Sequence, residues 1–390
     1  MKIVVLGGAG AMGQVIVRDL CESQPGCDVV IADFNRDRAE ELRAKLGSPG
    51  LSTAFADVRD TGQLAGVLKA ATAVVNSTPY YFNLNVMEAS LQAGCHYLDL
   101  GGLFHVTRRQ LELDAKFKER GLTAVLGMGA APGMTNVMAA HCASTLETID
   151  SIDITIGCVD FVKVEHPMYP PYALDTILDE YTKEPMVFEG GQFKAKPPMS
   201  GETAVHFPDP VGRVNAIYTL HSEVATLPLS YQSKGVANVS FRLGLPRDFH
   251  EKLKFLVELG LAGTDVLMLE EGPAVPRKVL ARLIDRFAAP QGDPDDCEVV
   301  RVEVKGRADS RQKLTRLETT VYSHKQWKIS CGALDTGVPP SIVAQMIARG
   351  DISQRGVLAP ETCVPAEPFF EELARRFIIM RMISEEYLSS

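Results

Sequence analysis

A carboxylate at Asp99 lies in the run Tyr97-Leu98-Asp99-Leu100-Gly101-Gly102. Tyr80 and Tyr81 form a phenol pair, and His221-Ser222-Glu223 and Arg242 lie further on. These residue types can move a proton or hold a charged substrate. Apolar neighbours raise a carboxylate's pKa and a nearby ammonium lowers it again, so Asp99 suits the anchoring of an amine or the relay of its proton. Tyr80 is the second candidate catalytic residue. Imidazole titrates near neutrality and guanidinium pairs carboxylates bidentately, which makes His221 and Arg242 candidates for substrate recognition. Each has a structural alternative: Asp99 as a cap for the helix that follows, His221 as a strand-end contact, Arg242 as a solvent-facing strand residue.

Such groups need a reagent, and the chain's first residues point to one. Lys2 to Leu6 read as a short buried strand running into Gly8-Ala9-Gly10-Ala11-Met12-Gly13, and the next segment has helical spacing. Glycines there let a pyrophosphate approach the backbone, and the helix start offers unpaired N–H donors. A second strand, Asp28 to Asp33, ends in a carboxylate about 20 residues beyond Gly13, where a ribose diol would be gripped. The expected cofactor is NAD; Arg36 leaves NADP possible, because an arginine there can receive a 2′-phosphate. With Gly8, Gly10, Ala11, Met12, Gly13 and Asp33, the expected cofactor-binding set takes in Asn35, Arg36, Asp57, Val58, Asn76, Ser77, Thr78, Pro79, Gly101 and Gly129.

The elements that must position these residues alternate. Helices are expected at Arg36–Leu46, Gln63–Ala70, Asn83–Ala93 and Val106–Arg120, with strands at 51–56, 73–76, 96–99 and 123–126. The pattern predicts an α/β fold with a Rossmann-type doubly wound parallel sheet, whose ligands lie beyond the strands' carboxyl ends. Residues 151–159, 213–220, 236–243, 297–305 and 314–322 alternate at period two, with helical patterns at 248–262 and 275–288 between them. They predict an inserted α+β domain with a sheet rich in antiparallel pairs. His166 to Pro171 reads as a loop at a cleft edge. Thr336-Gly-Val-Pro-Pro340 reads as a helix start, with its prolines in the first turn, and Gly350 as its end. The expected division is 1–133 plus 335–390 for a discontinuous dinucleotide-binding domain and 134–334 for an α+β substrate and dimerisation domain.

Net charge −9 over 390 residues disfavours nucleic acid as a partner. No apolar run reaches the roughly 20 residues that span a bilayer, so no membrane partner is expected. Eight scattered cysteines without a C-x-x-C pair read as reduced thiols, and no metal spacing occurs. A cytoplasmic location is the expectation. Tyr-x-x-x-Lys, H-E-x-x-H and G-x-S-x-G are all absent, which removes three familiar catalytic arrangements.

The stretches VVLGGAGAMG, VVNSTPYYFNLNVMEASLQAGCHYLDLGG, GMGAAPGMTNVMA, LDEYT and DTGVPPSIVAQMIARGDISQRGVLAPETCVP resemble the saccharopine dehydrogenase family, especially its lysine 6-dehydrogenase-like members. The resemblance implies a Rossmann domain built from both termini, an NAD(P) cofactor, oxidation at an amine carbon of a lysine-type substrate, and a homodimer or larger assembly. Saccharopine or carboxynorspermidine dehydrogenase-type chemistry is the alternative within the family. A non-catalytic NAD(P)-binding redox sensor is the alternative outside it. Where lysine-specific members carry a small, glycine-rich Thr/Ser stretch, this chain has His221-Ser-Glu-Val-Ala-Thr226.

Overall fold

The structure, a computed structural model, describes residues 1–162, 168–287 and 292–387. Its first third follows the expected alternation: β1 (Lys2–Leu6), α1 (Ala11–Ser23), β2 (Asp28–Asp33), α2 (Arg36–Leu46), β3 (Leu51–Phe55), α3 (Thr61–Leu68), β4 (Ala73–Asn76), α4 (Asn83–Ala93) and β5 (His96–Asp99). Branched aliphatics buried on both faces make the central strands nearly continuous apolar runs, as parallel sheets require. Asn35 and Asp60 cap α2 and α3 by accepting the amides of Arg38 and Gln63.

The helix expected at Val106–Arg120 is two helices, α5 (Leu103–Leu111) and α6 (Asp114–Glu119). The chain breaks because Asp114 turns to accept the amide of Val357 at 3.0 Å, a contact made 243 residues along the chain. Then come β6 (Thr123–Val125) and α7 (Met134–Ser144). All pairs in this sheet are parallel, in the order β3-β2-β1-β4-β5-β6, with Gly356–Leu358 added beyond β6. Strand order reverses between β1 and β4, the position where such sheets bind nucleotides.

The second unit runs β7 (Thr148–Asp160), α8 (Leu174–Thr182), β8 (Met186–Glu189), β9 (Gln192–Ala195), β10 (Thr203–His206), β11 (Arg213–Tyr218), α9 (Glu223–Ser230) and β12 (Asn238–Gly244). After these come α10 (Arg247–Glu258), the hairpin β13 (Leu267–Leu269) and β14 (Gly272–Ala274), α11 (Pro276–Ile284), β15 (Asp296–Ala308) and β16 (Arg311–Tyr322). Of the expected segments here, His166, Pro167 and Ala288 lie outside the described residues; Met168 to Pro171 carry no helix or strand. The sheet is antiparallel except for β12 against β7.

The chain ends with α12 (Cys331–Arg349), β17 (Gly356–Leu358), α13 (Pro360–Cys363), α14 (Ala366–Ala374) and β18 (Met380–Glu386). Helix α12 begins five residues before the expected Thr336, capped by Ser330, so Pro339 and Pro340 sit inside it rather than in its first turn. The interior prolines leave the Asp335 and Thr336 carbonyls without their usual helix donors; a Cβ on Gly337 would lie 2.6 Å from Val15 of α1, so the two helices are pressed together there. Asp19 of α1 also binds Arg376 at 2.6 Å and Ser341 at 2.6 Å. Strand β17 joins the nucleotide sheet, whereas β18, from the segment expected to sit wholly with it, pairs with β16. Residues 388–390 of that segment lie outside the described residues.

One core spans both units. Ile152, Ile154 and Ile156 of β7 and Val300, Val302 and Val304 of β15 share a face and pack with α7, α12 and the inner residues of the nucleotide sheet. Burying each such side chain contributes about 1.5–3 kcal/mol. Among the described residues no helix is long and apolar enough to cross a membrane.

Candidate functional site

The carboxyl ends of β1 to β6 form one edge, and the glycines of the opening motif are read there by sterics. A Cβ on Gly13 would fall 2.2 Å from the Gly7 carbonyl, so only glycine lets α1 dock on the loop. Gly8 is held between Val5 and Ile31 in the same way. Gly10 is exposed and has no side chain to cap α1, so the amides of Ala11, Met12 and Gly13 open α1 without a capping partner. Unpaired amides at a glycine-lined helix start are what a pyrophosphate would need, and the residues present fit a dinucleotide.

At the end of β2, Asp33 accepts the amides of Ala9 (3.0 Å) and Asn35 (2.9 Å), which fixes its carboxylate beside the glycine loop. Arg36 lies over the Phe55 ring at 4.8 Å and Arg59 over Phe34 at 5.4 Å, so two guanidinium groups flank that carboxylate's strand end. Asp57 is held by Arg59 at 2.7 Å, whose hydrogen bonds lower its pKa to about 2. The Val58 carbonyl accepts Asn85 at 3.3 Å. Asn76 is buried and shapes its own turn, accepting the Thr78 hydroxyl at 2.6 Å and donating to Asn83 at 2.9 Å. Ser77 donates to the Leu6 carbonyl at 2.6 Å; Thr78 packs at Gly7, and Pro79 is exposed. Gly101, at φ +124°, abuts Pro132, and a Cβ on Gly129 would lie 3.3 Å from Thr336 of α12.

Asp99 is enclosed. One oxygen accepts Tyr97 (2.8 Å), Gln110 (2.6 Å) and Asn83 (3.1 Å), the other the amides of Gly101 (2.9 Å) and Gly127 (2.6 Å). Five donors exceed the roughly four lone-pair positions of a carboxylate, so nothing is left for a substrate amine. Burial raises its pKa and the donors oppose that rise. The expectation that Asp99 handles the amine proton is therefore corrected: it is a positioning residue that pins the loops after β5 and β6. Tyr80, in a single 3-10 turn, bridges the units, donating to Asp179 of α8 at 2.7 Å and accepting Lys183 at 2.7 Å. Arg277 completes that network on Asp179 at 2.6 Å.

A second array was only half legible. His221 is buried, stacked on Phe241 with ring centroids 3.6 Å apart. Its Nδ1 lies 3.2 Å from Glu223 and its Nε2 3.7 Å from Glu180. Burial alone would lower the imidazole's pKa; the charge of Glu223 and hydrogen bonds to Glu180 and Glu223 outweigh it and raise it to about 9. Tyr172 donates to the far oxygen of Glu180, and Thr135, in the first turn of α7, donates to the far oxygen of Glu223 at 2.9 Å. Ser222 joins this array to the nucleotide edge, accepting the amide of Gly102 at 3.2 Å and donating to the Leu103 carbonyl at 3.0 Å.

Arg242 is not brought to that array. It alternates with Phe241 along β12, so it faces the other side of the sheet from His221. There it covers Tyr218 at 4.1 Å and donates to Ser240 at 2.9 Å. Glu180, Tyr172, Asp179, Lys183, Arg277 and Thr135 were not singled out from the sequence. The one signal was the run LDEYT, whose acids lie among residues 177–181, all buried, where periodicity cannot tell a functional acid from core.

Known proteins match along nearly the whole chain. The model of the saccharopine dehydrogenase NADP binding domain matches residues 3–125, and that of the saccharopine dehydrogenase C-terminal domain matches residues 129–379. The chain is 23% identical to a carboxynorspermidine synthase of Vibrio alginolyticus, covering 94% of this chain and 93% of that protein. It is 23% identical to a carboxyaminopropylagmatine dehydrogenase of a Synechocystis species, covering 96% and 95%. Its fold resembles that of saccharopine dehydrogenase (L-Glu forming) from Saccharomyces cerevisiae, with a TM-score of 0.75, 17% identity and coverage of 98% and 99%.

Proposed function

The chain belongs to the saccharopine dehydrogenase family as an NAD(P)-dependent oxidoreductase, and we propose that it acts on a CH–NH group, with hydride moving to or from the carbon beside an amine nitrogen. The observation that carries this reading is the Glu180–His221–Glu223 array, tied through Ser222 to the loop after β5 at the nucleotide edge.

Gly8, Gly10 and the first amides of α1 would hold the pyrophosphate, Asp33 the ribose, and Arg36 and Arg59 a 2′-phosphate where one is present. When bound, the nicotinamide supplies a hydride acceptor or donor. The protein's own work is with the proton. Breaking the C–H bond of an amine as hydride leaves an imine and releases one proton from nitrogen; the reverse reaction consumes one. A free ammonium, with a pKa of about 10.4, must lose its proton first. Glu180 accepts that proton at the cleft, and the array holds it between carboxylate and imidazole. In the reducing direction the charged His221 keeps a proton in store for the nitrogen. Asp179, Lys183 and Tyr80 hold α8 against the nucleotide unit so that Glu180 keeps its place.

The substrate class we favour is a carboxylated amine of the kind named in the two relatives, with a nitrogen joining a carboxylated arm to a cationic one. Deamination of a lysine-type side chain is the second reading, favoured by the sequence resemblance alone. The test follows NAD(P)H absorbance with diamines plus an aldehyde acid in the reducing direction and with lysine plus NAD(P)⁺ in the oxidising one. Turnover with the first pair and its loss in His221→Gln are expected. Tight dinucleotide binding with no turnover on any amine would overturn the reading in favour of a redox sensor.

A further inference from the structure

The second unit's sheet ends on β18, and that edge is bare. Among the described residues, β16 is the only strand that pairs with β18. Five of the seven residues of β18 are exposed and two are half-buried. An open edge presents a row of unpaired N–H and C=O groups, and proteins usually blunt it by shortening the strand or by placing Pro or Lys on it. The edge strands β3, β10 and β17 run only five, four and three residues. Strand β18 runs seven, from Met380 to Glu386, with no Pro, Gly or Lys.

The register fixes which groups point outward. Arg381, Ile383 and Glu385 stand opposite Glu318, Arg316 and Leu314, and the Tyr387 amide donates to the Gln312 carbonyl at 3.0 Å. Hydrogen-bonded positions alternate along an antiparallel strand, so these odd-numbered residues spend their backbone groups on β16. The N–H and C=O groups of Met380, Met382, Ser384 and Glu386 therefore point away from the sheet.

That outward row fits a copy of itself. Two antiparallel β18 strands related by a two-fold axis at Ile383 set Met382 opposite Ser384 and Met380 opposite Glu386, so all four outward residues find partners. In the same register Arg381 faces Glu385, Ile379 faces Tyr387, and Ile383 meets its own symmetry mate. These are the non-hydrogen-bonded pairs across the axis, where side chains come closest. Neither Arg381 nor Glu385 has an ion pair among the described residues. Glu385 acts on Arg316 only by its charge, and Arg316 is already held by Glu303 at 2.7 Å. Ile379 and Tyr387 are 66% and 52% exposed. Opposite charges and aromatic–β-branched pairs both stabilise facing strands, and no like charges meet here. Moving the axis to Met382 or Ser384 keeps backbone pairing but sets Arg381 against Ile383 or Tyr387, which loses the charge match.

We propose that β18 is the interface of a two-fold dimer, in which a second copy of this chain pairs along β18 and joins the two sheets into one. The occupant is a second copy rather than a foreign strand because every complementary group lies on β18 or next to it. Such an interface is isologous and closes at two subunits. It is independent of the CH–NH reading.

Analytical ultracentrifugation of the full-length protein over a concentration series tests this, with near-UV circular dichroism to show that each variant is folded. The wild type is expected to sediment as a dimer. Ser384→Pro removes one outward N–H, a change that an edge strand accepts, and should weaken dimerisation at least about tenfold in Kd. Glu385→Arg turns both charge pairs into repulsions and should weaken it by a similar factor. Adding Arg381→Glu to Glu385→Arg restores opposite charges and should recover most of the lost affinity. A monomeric wild type, or a dimer whose Kd survives either single substitution in a folded protein, would overturn the interface. So would a folded double variant that dimerises no better than Glu385→Arg.

Discussion

Ser222 and Gly102, 120 residues apart, are joined by a hydrogen bond of 3.2 Å from the glycine amide to the serine hydroxyl. The same hydroxyl meets Thr107 at 3.1 Å and donates to the Leu103 carbonyl. One small side chain thus sets the distance between the buried Glu–His–Glu array and the loop after β5.

Ser222→Ala leaves the Gly102 amide without a partner in a buried setting. We expect a loss of about 1–3 kcal/mol in unfolding free energy, the usual cost of an orphaned buried donor. Turnover should fall while dinucleotide affinity is kept, because the cofactor cradle does not include Ser222. Urea titration and NADPH fluorescence titration check the two halves separately.

His221 predicts a pH dependence of stability. Its folded pKa, raised to about 9, lies above the unfolded value near 6.5, so the folded state holds the extra proton between the two. The stabilisation is complete below about pH 6.5 and is lost as pH rises through about 9, a change of about 3 kcal/mol at about 1.4 kcal/mol per unit. Denaturation midpoints from pH 6 to 10 should fall in the wild type and stay flatter in His221→Gln. An equal slope in both proteins would remove the charged imidazole from the account.

Asp99→Asn presents an amide where five donors converge. Donor would face donor at one or more of Tyr97, Gln110, Asn83, Gly101 and Gly127. We expect destabilisation of about 3 kcal/mol, as for other broken buried charge networks. If turnover instead collapsed at unchanged stability, Asp99 would be a proton carrier after all.

Asp33 and Arg36 should separate the two cofactors. Asp33→Ala should weaken NADH about tenfold, or about 1.4 kcal/mol, through the lost ribose contact, and Arg36→Ala should weaken NADPH by a similar factor with little effect on NADH. Competition binding with both reduced dinucleotides checks this directly.

Much of the fold could be read locally. The bounds of β1, β2, β4, β5, α2 and α4 coincide with the expected segments, because buried β-branched runs, a helix-starting Asn35 and a closing Gly47 or Gly94 act within a few residues of one another. The glycine motif and Asp33 were legible for the same reason: the strand, turn and helix that give them meaning are their chain neighbours.

Only the tertiary structure decided what the polar residues do. Asp99 and His221 both looked like candidates for chemistry. The first is filled by donors from four segments, and the second is charged by Glu180, 41 positions away, as well as by Glu223. Arg242 is turned aside by the strand pleat. Asp335 is buried because α12 begins at Cys331 and takes in the residues expected to lie before it. Periodicity reports which face of an element is apolar; which polar groups meet across two packed units depends on how those units dock, and that is set by contacts between residues far apart in the chain.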